Sequence, residues 1–170
     1  NGGGVTLTGG EPTAQAPFVI DFLKQIQEIH SVIETSGYVS TNKFKEVIYI
    51  VDLVLFDIKH TDENLHRKYT GVSNRPILEN LRYLIRSGKE FIIRVPLIPN
   101  VNDSQENMMK ILSFIKDAKT LVRVELLPYH KTAGAKYKMI GKSYNPSFDI
   151  TKTPKIFNVF EECNIKTIIL

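Results

Sequence analysis

The chain has 170 residues, of which 42% are hydrophobic and 24% are charged, a balance typical of one soluble globular domain. Its net charge of +4 is spread along the sequence without an aromatic–basic pattern, so we predict no nucleic-acid partner. No run approaches the ~20 apolar residues of a membrane span, so we predict no membrane partner. A single cysteine, Cys163, excludes an internal disulfide and favours a reducing, cytoplasmic location.

The first predicted elements surround a glycine turn. Residues 5–8, Val-Thr-Leu-Thr, alternate apolar and β-branched polar side chains, which predicts a short strand. Gly9 and Gly10 follow, where no Cβ restricts the turn, and Glu11 precedes a helix predicted by the apolar stripe over 16–29. A carboxylate on such a turn suits a ligand with a positively charged amine. An ordinary strand-to-helix turn and a phosphate-binding loop are the alternatives, although the phosphate-loop patterns are absent.

Strand-like and helix-like segments then alternate to the end of the chain. Further strands are predicted over 31–35, 53–58, 90–97, 122–127 and 166–170. Further helices are predicted over 43–50, 62–69, 75–86, 103–116 (with Asp103 as N-cap) and 153–163. The stretch 131–147 is predicted to be a covering loop. The alternation predicts an α/β fold with a parallel sheet or an open barrel.

Polar side chains follow the ends of these strands. In β/α barrels the chemistry lies at the C-terminal ends of the strands. The sequence places seven polar residues there, namely Glu11, Glu34, Thr35, Asp57, Lys59, Arg94 and His130. We therefore expect these residues to lie around one site.

The residue types at these ends leave two interpretations open. Asp57 and Lys59 are two positions apart on a strand and point to the same interior face, where they either form an ion pair or hold a ligand. Arg94 either grips a ligand carboxylate or pairs with Asp57 or Glu34. Glu34 and Thr35 either cap the following segment or supply oxygens to a small cation.

The histidines and the cysteine carry weaker signals. His130 either hydrogen-bonds a ribose or stacks on a base, or it is a surface residue on a loop. No histidine has metal-ligand spacing, and His60 is predicted within reach of the site while His30 and His66 are predicted on the surface. Cys163 falls on the apolar stripe of the last predicted helix and is predicted to pack in the core.

Six ordered motifs resemble those of glycyl-radical-enzyme activating enzymes, which are members of the radical SAM superfamily. They are GGGVTLTGGEP at 2–12, ETSG at 34–37, DLVLFDIKH at 52–60, YTGVSN at 69–74, IIRVPLIPNVND at 92–103 and ELLPYH at 125–130. The resemblance covers essentially the whole chain. It implies one radical SAM core domain over 1–170, folded as a partial, open parallel β/α barrel.

The resemblance also implies a binding site for S-adenosylmethionine (SAM). Gly9, Gly10 and Glu11 match residues that meet the amine of SAM. Lys59 and Arg94 match residues that hold its carboxylate.

Four further positions match the surroundings of that site. His130 would lie by the adenosine of SAM. Glu34, Thr35 and Asp57 match positions that shape the SAM site and contribute to a monovalent-cation site. The family commonly has Asp where this chain has Glu34.

The reaction implied by the resemblance is that of an oxidoreductase. A [4Fe–4S] cluster gives one electron to SAM, which splits into methionine and a 5′-deoxyadenosyl radical, and that radical removes a hydrogen atom from a glycine of a partner enzyme. The implied partners are a glycyl-radical enzyme, such as pyruvate formate-lyase or a relative, and an electron donor such as flavodoxin or ferredoxin. The protein orients the cofactors and excludes water.

One family feature is missing from the sequence. The family binds its cluster through a C-x-x-x-C-x-x-C loop after the first strand, and this chain has neither the loop nor that strand. We therefore expect an N-terminally truncated chain that is inactive alone, with the cluster ligands upstream of Asn1. A non-catalytic SAM- or protein-binding module without a cluster is one alternative, and a radical SAM enzyme acting on a small molecule is another.

Overall fold

Six parallel strands, hydrogen-bonded in chain order, form one open sheet. The structure is a computed structural model that describes residues 3–129, 139, 141, 143 and 146–170. The strands are β1 (Gly4–Leu7), β2 (His30–Thr35), β3 (Leu53–Asp57), β4 (Glu90–Leu97), β5 (Leu121–Pro128) and β6 (Thr167–Ile169). The helices between them are α1 (Ala16–Gln25), α2 (Thr41–Ile50), α3 (Glu63–Thr70), α4 (Arg75–Ser87) and α5 (Gln105–Ile115). The prediction of an α/β fold with an open parallel sheet is therefore confirmed.

The two faces of the sheet differ in character. Alternate strand residues are fully buried in the main apolar core together with helix residues, and they include Ile33, Val54, Phe56, Ile93 and Val124. The residues between them point to the opposite face, because successive side chains of a strand alternate. On β2, β3 and β4 these include the half-buried Glu34, Asp57 and Arg94. The sheet thus has one apolar, helix-packed face and one face that carries charge.

The first helix is shorter than the apolar stripe over 16–29 predicts. A short 3-10 helix, Pro12–Gln15, precedes α1, and α1 ends at Gln25. The N–H of Ile26 donates to the Leu23 carbonyl at 3.2 Å, and the N–H of Ile29 donates to the Ile26 carbonyl at 2.8 Å. These tighter turns replace the last predicted helical turn.

Asp103 is not the N-cap of α5, contrary to the prediction. The cap is Ser104, whose hydroxyl accepts from the N–H of Asn107 at 3.2 Å. The Asp103 carboxylate instead accepts from the N–H groups of Asn100, at 2.6 Å, and Lys155, at 2.9 Å. It therefore joins the loop before α5 to a segment 52 residues later.

The predicted helix over 153–163 is wrong. Only Glu161–Cys163 is helical there, as a 3-10 turn. Val159 and Phe160 are buried as expected, but Ile156 is exposed. The start of the segment is instead tied to the loop before α5, because the Lys155 N–H donates to the Asp103 carboxylate at 2.9 Å. Cys163 is exposed, so the prediction of a packed core thiol is also wrong.

His130 and most of the predicted loop over 131–147 lie outside the described residues. Among the helices that are described, none combines the length and the apolar character needed to cross a bilayer.

Candidate functional site

Six of the seven predicted site residues lie toward the carboxyl edge of the sheet, and the seventh, His130, is outside the described residues. All six strands are parallel, so their C-terminal ends lie on the same side. Asp57 on β3 is the register partner of Arg94 on β4, and Arg94 is the partner of Glu125 on β5. An acid–base–acid row therefore crosses three neighbouring strands on the charged face.

Glu11 joins the exits of β1 and β2. Its Oε1 accepts from the Thr13 N–H at 3.2 Å and from the hydroxyls of Thr13 and Thr35, each at 2.6 Å. Its Oε2 accepts from the Ser36 N–H at 2.9 Å and the Ser36 hydroxyl at 2.6 Å. Burial raises the pKa of Glu11, but the hydrogen bonds from Ser36, Thr13 and Thr35 outweigh burial and hold it below its ordinary value.

These contacts limit what else Glu11 can bind. A carboxylate has about four lone-pair sites, and Glu11 already accepts from five donors. A ligand amine would have to displace one of them. The Glu11 side chain therefore connects the turn after β1 to the turn after β2. Thr35 belongs to the site as a hydrogen-bond donor to Glu11.

The glycine turn leaves open space beside the backbone. Gly9 has φ +130°, a conformation that side chains rarely adopt, which explains glycine at this position. A Cβ added at Gly9 or at Gly10 would meet no atom within 4 Å. A ligand can therefore lie directly against this turn.

A cavity of about 440 Å³ opens beside the turn. Its lining combines charged, hydroxyl and apolar side chains, namely Glu11, Ala14, Ser36, Tyr38, Lys59, His66, Thr70, Val72 and Ile77. Its volume lies in the ~300–1,000 Å³ range of small-molecule sites. A second cavity of similar volume lies beside Glu90 and Asp52, near the opposite edge of the sheet, and none of the predicted site residues lines it.

Arg94 lies between two carboxylates. Its Nη1 is 2.8 Å from Glu34 Oε1, and its Nε is 3.2 Å from Glu125 Oε2. The Nε contact is close enough for charge attraction but is not aligned as a hydrogen bond, so this buried N–H has no partner among the described residues. Glu125 is held on its other oxygen by two N–H groups of Arg123, at 2.9 and 2.6 Å.

Asp57 and Lys59 form no ion pair within 4 Å in the described part of the chain. Lys59 is exposed, whereas Asp57 is half-buried. Burial raises the pKa of Asp57 to about 6, with a further upward contribution from Glu34, while Lys59 and Arg94 oppose the rise. A positive charge placed beside Asp57 would therefore favour its ionised form.

Two histidines are buried and hydrogen-bonded rather than exposed at the surface. The prediction of a surface His66 is wrong, because its side chain is buried and its Nδ1 is 2.8 Å from the Val72 carbonyl. His60 is also buried, and its Nδ1 accepts from the Asp62 N–H at 3.0 Å. Burial lowers the pKa of His60.

The residues that support the site were not predicted from the sequence. Four buried asparagines donate to carbonyls of the loops after β2, β3 and β4; these are Asn74, Asn80, Asn102 and Asn107. Glu125 and Ser36 were missed as well. The signal for Glu125 was an acid between apolar residues of a strand, two positions from Arg123.

The cation site at Glu34 and Asp57 stays a prediction. The described residues contain no group of three or more histidine, cysteine, aspartate or glutamate side chains that could hold a metal ion. Glu34 contacts Arg94, and its Oε2 accepts from the Thr8 hydroxyl at 3.2 Å.

Comparison with known proteins identifies the family. A model of the radical SAM superfamily matches residues 2–112. The 4-hydroxyphenylacetate decarboxylase activating enzyme of Clostridioides difficile strain 630 is 41% identical over 149 residues, which cover 85% of this chain and 47% of that protein. The pyruvate formate-lyase-activating enzyme of Clostridium pasteurianum is 39% identical over 146 residues, which cover 85% of this chain and 61% of that one. The chain thus spans about half the length of the curated relatives it matches.

A solved structure agrees with these relatives. It is a domain of a pyruvate-formate lyase-activating enzyme from Bacteroides vulgatus, with a TM-score of 0.75 at 29% identity over 99% of both chains. The resemblance drawn from the six motifs is therefore confirmed. The order of the motifs, the open parallel sheet and these matches agree, and the chain belongs to the radical SAM superfamily.

Proposed function

We propose that this chain is the SAM-binding and partner-facing part of an activating enzyme that generates a glycyl radical on a partner by reductive cleavage of SAM. The relatives that support this proposal are activating enzymes for a decarboxylase and for lyases. We further propose pyruvate formate-lyase or a relative as the partner and flavodoxin or ferredoxin as the electron donor.

The charges at the exits of β3 and β4 carry the proposal. The methionine end of SAM has one ammonium and one carboxylate. The half-buried Arg94 guanidinium and the exposed Lys59 ammonium suit the carboxylate. The half-buried Asp57 carboxyl suits the ammonium, which would lower the raised pKa of Asp57.

The glycine turn completes the proposed SAM site. Open space at Gly9 and Gly10 admits a ligand against the backbone. Glu11, which the resemblance places at the amine, has its lone pairs engaged, so we assign it the task of holding Thr35 and Ser36 in place. His130 keeps its proposed place by the adenosine, outside the described residues.

The residues of this chain do not fit the cluster. A [4Fe–4S] cluster takes several cysteine thiolates, and the chain has one cysteine, which is exposed on the last 3-10 turn. The chemistry that SAM supplies beside a reduced cluster is hydrogen-atom abstraction. The part of the reaction we assign to this chain is to bind SAM, to orient it and to face the partner.

Calorimetric titration with SAM tests the proposed site. We expect the chain to bind SAM more tightly than 5′-methylthioadenosine, which lacks both the ammonium and the carboxylate. The variant Lys59→Met should weaken SAM binding about tenfold, since it removes one charged contact of about 1.4 kcal/mol. Lys45→Met, which lines the cavity near the opposite edge, is the matched control and should bind SAM normally. Equal affinity for the two ligands would refute the site.

The single cysteine favours one competing function, a SAM-binding module without a cluster. The protein expressed from its complete gene separates the two. After anaerobic reconstitution with iron and sulfide and chemical reduction, electron paramagnetic resonance should show a cluster signal that SAM perturbs, and a glycyl radical on the partner. SAM binding without any cluster signal would establish the cluster-free module.

A further inference from the structure

The two carboxylates beside Arg94 are held very differently. The Glu125 side chain is 7% exposed and is fixed by two hydrogen bonds from Arg123. The Glu34 side chain is 33% exposed, and its further side-chain partner in the described part of the chain is the Thr8 hydroxyl at 3.2 Å. Glu125 is therefore a permanent partner of Arg94, whereas Glu34 is the one that can leave.

The path of the Glu34 side chain is also unusual. Glu34 is on β2 and Arg94 is on β4, so their contact passes over the charged face of β3. Arg94 meets Glu34 through one nitrogen, although a guanidinium can hold a carboxylate with two parallel N–H groups. A free carboxylate that entered the site could bind Arg94 in the better geometry.

We propose that Glu34 is an internal competitor, whose carboxylate occupies the place on Arg94 that the carboxylate of the ligand takes. The inference rests on the proposed SAM site. Binding of SAM then exchanges one carboxylate for another at the Arg94 guanidinium, and Glu34 moves toward solvent. Glu34 weakens binding in this scheme, which is the opposite of its expected part in a cation site.

The exchange makes a prediction about ligand chemistry. A ligand with a carboxylate must displace Glu34, whereas 5′-methylthioadenosine need not. Removing the competitor should therefore tighten the binding of SAM and leave the binding of 5′-methylthioadenosine unchanged. A general loosening of the site would instead change the binding of both ligands.

Two variants test the exchange by calorimetric titration with both ligands. Glu34→Gln keeps the shape and removes the charge, and it should tighten SAM binding roughly two- to fivefold, the range for releasing a partly exposed ion pair. Glu34→Asp keeps the charge but is one methylene shorter, so it should no longer reach Arg94 and should also tighten SAM binding. Glu63→Gln is the matched control, because it removes an ion pair between Glu63 on α3 and the exposed Arg75 on α4.

Each result decides the matter. Tighter SAM binding in both Glu34 variants, with 5′-methylthioadenosine unchanged, supports the competitor. Weaker or unchanged SAM binding overturns it and returns Glu34 to a cation-binding or supporting part. Tightening in Glu34→Gln alone also overturns it, because it would indicate repulsion at a distance rather than occupancy. If the parent chain shows no preference for SAM over 5′-methylthioadenosine, the proposed site itself fails.

Discussion

The Glu11 carboxylate lies 2.6 Å from the Ser36 hydroxyl, and this hydrogen bond joins the turn after β1 to the turn after β2. Thr35 donates to the same carboxylate at 2.6 Å. β1 is four residues long, so its backbone pairing with β2 is short. Glu11 therefore holds the first strand in place as much as it shapes a site.

Replacing Glu11 with Gln should destabilise the chain. The Gln amide keeps one acceptor oxygen and places an NH2 group against N–H and O–H donors, so several of the five hydrogen bonds are lost. We expect the free energy of unfolding to fall by about 1–3 kcal/mol, measured by urea denaturation at pH 7. The exposed Glu28→Gln is the control.

The difference in unfolding free energy between the parent and Glu11→Gln should depend on pH. The pKa of Glu11 is lowered in the folded state, so its stabilisation is present above its ordinary pKa and is lost as the pH falls through the lowered value. The gap between parent and Glu11→Gln should therefore shrink in acid. A gap that widened below pH 4 would contradict the hydrogen bonds described here.

Gly9 and Gly10 should respond differently to alanine. Gly9 has positive φ, so Gly9→Ala should lower the free energy of unfolding by about 1–2 kcal/mol through backbone strain. Gly10 has no positive φ and no neighbour within 4 Å of an added Cβ, so Gly10→Ala should keep its stability. The new methyl group would occupy ligand space, and SAM affinity should fall. Equal stability losses in the two variants would be the contrary result.

Asp57 should destabilise the folded chain at neutral pH. Burial raises its pKa to about 6, so the folded state binds a proton that the unfolded state releases between about pH 4 and 6, and stability falls as the pH rises through that window. Asp57→Asn should therefore be more stable than the parent at pH 7.5, by roughly 1–3 kcal/mol, and equal to it near pH 4.

Asp52 supplies the opposite case as a control. The backbone N–H of Ser31 lowers the pKa of Asp52, so Asp52→Asn should be less stable than the parent at pH 7.5. Urea denaturation of both variants at several pH values checks the pair. If Asp57→Asn also lost stability at pH 7.5, Asp57 would have a partner that the structure does not show.

Asn102 should link stability to ligand binding. Its Nδ2 donates to the carbonyls of Lys59, at 2.8 Å, and Pro96, at 2.5 Å, and its Oδ1 accepts from the Ile98 N–H at 2.7 Å. Asn102→Ala should cost about 2–4 kcal/mol of unfolding free energy and should weaken SAM binding by displacing Lys59. The exposed Asn64→Ala on α3 should do neither. If Asn102→Ala is destabilised but binds SAM normally, Asn102 supports the fold and does not position Lys59 for the ligand.

The strands and their exits could be predicted because their signals are local. Apolar runs bounded by glycine and polar residues mark each strand, and parallel pairing brings the strand exits to one edge of the sheet. Asp57 and Arg94 therefore lie close together, as expected, although their register pairing was not predicted. Side-chain partners could be predicted only in part. The Arg94–Glu34 contact was one of the alternatives that the sequence left open, and the structure shows it. The contact of Arg94 with Glu125 was not predicted, because it depends on the register of β4 and β5 rather than on spacing in sequence.

The wrong prediction of a helix over 153–163 also reflects a contact between residues that are distant in sequence. The spacing of Ile156, Val159 and Phe160 fits a helix, and nothing nearby opposes it. In the structure the Asp103 carboxylate accepts from the Lys155 N–H and ties the start of this segment to the loop before α5. That contact joins residues 52 positions apart, so the local apolar spacing could not indicate it.

The four buried asparagines give the site a framework that does not titrate. An amide neither gains nor loses a proton between pH 4 and 8. The bonds from Asn80 to the loop after β2, and from Asn102 to Lys59 after β3 and to Pro96 near the end of β4, should therefore persist through that range. Asp57 changes its charge within the same range. Acidity can therefore change the charge at the exit of β3 while the neighbouring loops stay where they are.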